Sequence, residues 1–159
     1  MPVSADHFRS ALSHFASGVT VVTTKDASGK LHGITVSAFC SVSLEPPLVL
    51  ICIEKTTGSH HAFEESGFFS VNILSSERSE TSEHFASMLP DKFEGVDVRL
   101  DSRGVPSLPE ALATLECKLS KALDGGDHSI FLGEVENVII RNGDPLLYYR
   151  GEYRTINSD

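Results

Sequence analysis

Most apolar positions along this chain recur with period two, and polar breaks keep the runs short. Residues 19–24 (VTVVTT) are rich in β-branched side chains and predict a strand. Residues 33–44 (GITVSAFCSVSL) alternate. Ile34, Val36, Ala38, Cys40, Val42 and Leu44 fall on one side; Gly33, Thr35, Ser37, Phe39, Ser41 and Ser43 fall on the other. This predicts one long strand, broken by Pro46 and Pro47. Residues 48–53 (LVLICI) are apolar at both parities and predict a strand covered on both faces. Residues 68–74, 113–123, 128–140 and 145–156 complete the set. The junctions DGGDH and RNGDP carry turn chemistry, and Asn142-Gly143 predicts a hairpin.

Helical periodicity is confined to short pieces. Ser4 is placed to cap a helix with Phe8, Ala11, Leu12 and Phe15 on one stripe and Gly18 as its stop. GSHHAFEES predicts a short helix ended by Gly67, and residues 75–89 predict a polar helix whose core stripe holds Phe85 and Met88 or Leu89. Residues 90–109 read as a loop long enough to suggest a functional or dimer-contact role. Strands that do not alternate with helices disfavour a doubly wound sheet. The pattern fits a mainly β fold, an antiparallel barrel with helical insertions. No linker or repeat divides the chain, so a single domain over residues 1–159 is expected.

Composition narrows the partners. A net charge of -9 argues against nucleic acid or an anionic membrane, both of which need clustered Lys and Arg. It leaves room for a small phosphorylated ligand held by backbone amides and one or two cations. No apolar run approaches the ~20 residues of a membrane span. The start MPVSADHFRS carries no basic segment followed by an apolar one, so a cytoplasmic location is the expectation. Cys40, Cys52 and Cys117 are odd in number and widely spaced, which favours free, buried, reduced thiols. There is no C-x-x-C and no H-E-x-x-H, and the adjacent His60 and His61 make a poor chelate. No metal site is expected.

The candidate chemistry lies in four places. The uncharged face of residues 33–44 offers Thr35, Ser37, Ser41 and Ser43, small enough to leave the backbone reachable by a flat heteroaromatic ring. Packing on a helix or a neighbouring chain would produce the same face. EKTTGSHH places Lys55, Thr56, Thr57 and Ser59 at a turn that suits a phosphate, or that simply caps a surface helix. Asp127-His128 stands at the mouth of an apolar strand, where His can bind, move a proton or close a turn. LLYYRGEYR gathers all three tyrosines with Arg150 and Arg154, suited to a nucleotide's ring and phosphates or to an edge strand. Rossmann, P-loop and nucleophile-elbow signatures are missing, so a nucleotide would need another scaffold.

Taken in order, five blocks resemble one family. They are GITVS at 33–37, SVSLEPP at 41–47, FSVNIL at 69–74, DHSIFLGEV at 127–135 and PLLYYRG at 145–151. Over residues 8–154 the chain resembles the flavin reductases that supply reduced flavin to two-component monooxygenases. The resemblance implies an antiparallel Greek-key split β-barrel of the FMN-binding type and a homodimer. It implies hydride transfer from NADH or NADPH to FMN or FAD, and a partner monooxygenase. It also implies roles by position. Thr35, Val36, Ser37 and Ala38 would meet the flavin ring, largely through backbone. Ser41, Val42 and Ser43 would line its ribityl and phosphate side. Cys52, Ile53, Lys55 and Ser59 would continue that wall, and Phe85 and Ala86 would touch the flavin tail. His128, Tyr149, Arg150, Gly151 and Tyr153 would serve the nicotinamide nucleotide, with His128 as the catalytic candidate. The competing function is a flavin-binding or electron-carrier protein on the same barrel, without free reductase turnover.

Overall fold

The computed structural model describes residues 2–156. Its main sheet is antiparallel throughout and has seven strands: β2 (Thr20–Lys25), β3 (Leu31–Val36), β4 (Phe39–Leu44), β5 (Pro47–Glu54), β6 (Phe68–Ile73), β9 (Ala113–Gly125) and β10 (His128–Ile140). Their spatial order is β3-β2-β6-β9-β10-β5-β4. β1 (Ser17–Gly18), β11 (Leu147–Tyr149) and β12 (Glu152–Arg154) form a second small sheet, and β7 (Arg99–Leu100) pairs with β8 (Pro106–Ser107). Three short helices, α1 (Ala5–Leu12), α2 (His60–Ser66) and α3 (Ser79–Ala86), pack around the sheets.

The strand order has one decisive consequence. β3 and β4 are the two edges of the seven-stranded sheet, yet only Ser37 and Ala38 join them. Three consecutive Cα steps from Val36 to Phe39 span at most about 11 Å. Six strand spacings laid flat would separate the edges by roughly 29 Å. The sheet therefore rolls until its edges meet at Ser37–Ala38, where the Cys52 N–H donates to the Ala38 carbonyl (3.1 Å) and carries the β4–β5 ladder to the link. The result is the expected split barrel.

The roll overturns the single long strand predicted for residues 33–44. The alternation runs through the seam, but the two halves pack differently. On β3, Val36 is buried and Ile34 packs beside it. On β4 it is Phe39 that packs against the core, while Cys40 is exposed, Val42 is 48% exposed and Leu44 is 91% exposed. A bulge between Ser41 and Ser43 adds to the slip. Burial of all three cysteines thus holds for Cys117, holds partly for Cys52 and fails for Cys40, which sits on an edge strand.

Two apolar clusters fill the interior. Ile51, Ile53, Phe63, Phe69, Val71 and Phe131 dominate the first; Val21, Leu74, Phe85 and Leu146 dominate the second. Asn72 is buried between them with every side-chain atom engaged. It donates to the Val21 carbonyl and Thr23 Oγ1 and accepts from the Leu108 N–H and Thr114 Oγ1. This pins residues 90–109, which carry β7 and β8 and send Phe93, Val96 and Val98 against the second cluster.

Other expectations divide. Ser4 caps α1 by accepting from the His7 N–H, and Gly67 ends α2 in the left-handed region, both as predicted. α1 stops at Leu12 rather than near Gly18, and Phe8, Leu12 and Phe15 stay exposed because nothing in one chain covers them. α3 is shorter than expected; Phe85 is buried, whereas Met88 and Leu89 lie beyond its end and are exposed. β5 is buried on the face of Val49, Ile51 and Ile53 but only half-buried on that of Leu48, Leu50 and Cys52. Asn142-Gly143 makes no hairpin, since β11 pairs with β1 and β12 rather than with β10. The hairpin lies at Arg150-Gly151, where both residues have positive φ, the requirement of a type I′ turn.

Gly133 is where the sheet presses hardest on the core. A Cβ there would collide with the Phe69 ring and stand 2.9 Å from Cys117 Cβ. Gly133→Ala should lower the unfolding free energy by about 1–3 kcal/mol. Urea denaturation of the purified variant measures this, and an unchanged midpoint would contradict the packing described.

Candidate functional site

The seam opens a cleft of 220 Å³ lined by Ile34, Thr35, Val36, Ser37, Ala38, Cys52, Ile53, Glu54, Thr57 and His128. A larger groove of 570 Å³ shares Ile34, Glu54 and Thr57 with it, so the two are continuous. The groove runs on past His32, Ser59, Ala86, Ser87, Lys92 and Phe93. Together they form one elongated site, narrow at the seam and wide between the β2–β3 hairpin and the end of α3.

Backbone dominates the narrow end. Val36 and Ile53 turn their side chains into the core, so they face the cleft with main chain. The Thr35 hydroxyl donates to the Ser82 carbonyl (2.6 Å), so α3 has already claimed it. Ser37 and Ala38 are exposed, and among the described residues no protein acceptor takes either N–H. The Ser37 carbonyl accepts from the Phe39 N–H and the Ala38 carbonyl from the Cys52 N–H. The seam thus offers donors and withholds acceptors, which suits a ligand edge rich in carbonyl oxygen or negative charge. Burial raises the pKa of the Cys52 thiol in the wall, keeping it neutral.

His128 stands across the seam, opposite Glu54 in the β10–β5 register. Its Nδ1 bonds Asp127 Oδ1 at 2.7 Å, which fixes the ring and leaves Nε2 without a protein partner among the described residues. The same bond holds the Asp127 carboxyl below its ordinary range. A half-exposed imidazole oriented by a carboxylate can present its free nitrogen to a ligand as a hydrogen-bonding group.

Lys92 closes the wide end. Its ammonium donates to the carbonyls of Phe85 (2.7 Å) and Gly33 (3.1 Å), lashing residues 90–109 to β3 and α3, and burial lowers its pKa. The strand approaches so closely here that a Cβ on Gly33 would fall 2.7 Å from the Phe85 ring.

Of the residues singled out in the sequence, Thr35, Val36, Ser37, Ala38, Cys52, Ile53 and His128 share the narrow cleft, and Ser59 and Ala86 line the groove. Phe85 is fully buried beneath Gly33 rather than on the surface of the site. Lys55 lines neither chamber; its ammonium is paired with the Asp124 carboxylate and the Gly126 carbonyl. Ser41, Val42 and Ser43 follow the seam on β4, outside the lining. Tyr149, Arg150, Gly151 and Tyr153 belong to the β11–β12 hairpin. Tyr153 lines a separate hollow of 420 Å³ beside Ser76, Ser79 and Arg154. Its hydroxyl nevertheless reaches Ser82 Oγ (2.8 Å), and Ser82 holds Thr35, so the hairpin braces the seam through α3. Sequence reasoning passed over Glu54, His32, Lys92 and Phe93. Only the length of the 90–109 segment hinted at the last two.

A rolled antiparallel sheet with an amide-lined seam cleft marks a split barrel of the flavin-handling class. The match extends over nearly the whole chain: residues 12–157 fit the model of the flavin reductase like domain, and the protein belongs to that family. It is 44% identical over 153 residues to a Rhodococcus jostii protein, the reductase subunit HsaB of a flavin-dependent monooxygenase, covering 96% of this chain and 78% of that one. It is 41% identical to the FMN reductase (NADH) SmoA of Agrobacterium fabrum, over 92% and 83% of the two chains. A crystal structure of the Streptomyces globisporus NADH:FAD oxidoreductase SgcE6 with NAD and FAD fragments superposes with a TM-score of 0.91 at 35% identity, covering 100% of this chain and 98% of that one. Among the described residues no helix is long and apolar enough to cross a membrane.

Proposed function

We propose that this chain, acting as one domain, is an NAD(P)H-dependent flavin reductase that passes reduced flavin to a monooxygenase. The carrying observation is the amide-lined seam with His128 in its lining, continuous with a groove of 570 Å³. Family membership and relatives named as reductase subunits support the same reading.

A flat ring fits the seam because Ser37 and Ala38 place nothing bulky above their backbone, and the walls at Val36 and Ile53 present main chain. When bound, the flavin would supply the hydride acceptor and NADH or NADPH the donor. The protein's part is to hold their rings at contact distance and to shield the transfer. The unpaired Ser37 and Ala38 amides stabilise charge that develops on the ring's polar edge. Thr57, Ser59 and Lys30 line the wide chamber and would meet a phosphate there, while Lys92 is held by the Phe85 and Gly33 carbonyls. Lys55 would have to leave Asp124 to join them. His128, oriented by Asp127, is assigned to the nicotinamide. Tyr149, Arg150, Gly151 and Tyr153 are assigned to the nicotinamide nucleotide through the resemblance, and Tyr153 also positions α3. Ser41, Val42 and Ser43 would extend the flavin wall along β4.

The reading includes a homodimer. Cross-strand rows Leu123–Ile130–Cys52 and Leu132–Leu50–Cys40 form a half-exposed apolar stretch on the outer face of β9, β10, β5 and β4, with Lys121 beside Leu132 at its β9 side. Leu44 and Ile140, 91% and 77% exposed, add apolar surface at the ends of β4 and β10. A second copy would cover this face and the unpaired edge of β4. Sedimentation velocity at micromolar concentration should give twice 17.2 kDa; a monomer alone would refute the dimer.

Steady-state oxidation of NADH and NADPH with added FMN or FAD tests the function, and flavin binding without turnover would favour the carrier reading. In stopped-flow, His128→Ala should slow flavin reduction or raise the nicotinamide concentration needed by about tenfold or more. Unchanged traces at every NADH concentration would remove His128 from the site. Ser37→Trp, with its indole over the seam, should abolish flavin binding in a folded protein. Normal flavin titration would show that the ring lies elsewhere.

A further inference from the structure

One cluster of metal-ligating side chains lies apart from the seam. Asp26 and His32 come from the β2–β3 hairpin and His61 from α2. Their ligand atoms all lie within 4.8 Å of one another. Asp26 Oδ2 and His32 Nε2 are 2.8 Å apart, with side chains only 12% and 10% exposed. The His61 ring stands edge-on to that of His32 at 5.3 Å, on the solvent side. We propose that Asp26, His32 and His61 form a binding site for a divalent first-row transition ion, in the outer wall of the flavin groove.

The supporting shell is what separates this cluster from a chance meeting of polar groups. Asp26 Oδ1 is saturated: it accepts from the Ser28 N–H (2.9 Å), the Ser28 hydroxyl (2.6 Å) and the Lys30 N–H (3.0 Å). Those three donors lock the carboxylate and leave Oδ2 facing the imidazole. On the far side of His32, Nδ1 lies 3.4 Å from Ser59 Oγ, which orients the ring and directs Nε2 at Asp26. Ligands held by second partners in this way are the common pattern of real metal sites. The hairpin and helix are also tied together independently, since the Ala27 N–H donates to Glu65 Oε2 (3.3 Å).

The donor set decides the class of ion. Two imidazoles and one carboxylate suit Zn²⁺, Co²⁺, Ni²⁺ or Fe²⁺ and not Ca²⁺ or Mg²⁺, which want oxygen alone. An ion ~2.1 Å from each ligand needs ligand atoms about 3.4 Å apart in a tetrahedron. Asp26 and His32 must separate by roughly half an ångström as the proton between them leaves, and the exposed His61 swings in. The fourth position is left to water. His60 takes no part: its Nε2 bonds Ser129 Oγ (2.8 Å) and its ring packs on Phe131.

The ion would clamp α2 to the β2–β3 hairpin beside Ser59 and His32, both of which line the groove. The site stands on its own geometry and does not depend on the proposed reaction. Isothermal titration of Zn²⁺ into the untagged chain should show one saturable site per chain. Co²⁺ should give the intense visible absorption of a tetrahedral centre, and Zn²⁺ should raise the thermal midpoint. His61→Ala, at an exposed position that folding does not need, should weaken Zn²⁺ at least about tenfold and remove both spectral and thermal responses. Asp26→Asn should do the same. No saturable binding, or binding unchanged by His61→Ala, would overturn the site. Affinity lost in neither variant but lost on substituting His128 would also overturn it, by placing the ion at the seam.

Discussion

The structure depends on a two-residue connection between the opposite edges of a seven-stranded sheet. Because Ser37 and Ala38 must join β3 to β4, the sheet has to roll, and every other feature of the site follows from where it closes. The closure is incomplete. At the seam β3 and β4 are not paired with each other, and the Ser37 and Ala38 amides are left unpaired. In a continuous sheet those donors would be spent on a neighbouring strand. Here they are available to a ligand, and the roll sets the apolar walls of β3 and β5 on either side of them.

Holding an incomplete seam in one geometry needs bracing from outside the sheet. Thr35 on β3 bonds to Ser82 on α3, and Ser82 bonds to Tyr153 on the C-terminal hairpin. Lys92 reaches from the long segment to carbonyls on β3 and α3, and Asn72 anchors the same segment from within the core. Residues far apart in the chain thereby position the same two-residue link. The tyrosine-rich hairpin is part of this bracing whatever nucleotide it also meets.

Much of the fold was legible in the sequence because strands with one core face leave a period-two record, and because caps and turns use few residue types. The failures share one cause. Residues 33–44 alternate with one exception, Phe39 among the polar positions, and that single side chain is the only local trace of the break at the seam, where the core-facing parity changes from Val36 to Phe39. Burial expected for Cys40 fails, and the apolar stripe of Phe8 and Leu12 stays uncovered, because periodicity reports apolarity and not what lies opposite. Asn142-Gly143 has hairpin chemistry, but the strand after it finds β1 closer than β10. The site was legible in part. Thr35 to Ala38, Cys52, Ile53 and His128 do meet in one cleft, while Lys55 is drawn off by Asp124, a partner 69 positions away that no spacing rule foresees.

By itself the sequence determined a mainly antiparallel β chain, the short helices and their caps, and, through five ordered blocks, the family. These are properties of local pattern and of order along the chain. Tertiary structure alone decided which hydroxyls stay free. It spent Thr35 on α3, left the Ser37 and Ala38 amides open, and set His61 rather than His60 beside His32 and Asp26. Hydrogen-bond partners and ligand clusters are matters of a few ångströms between distant segments, and only the rolled sheet brings those segments together.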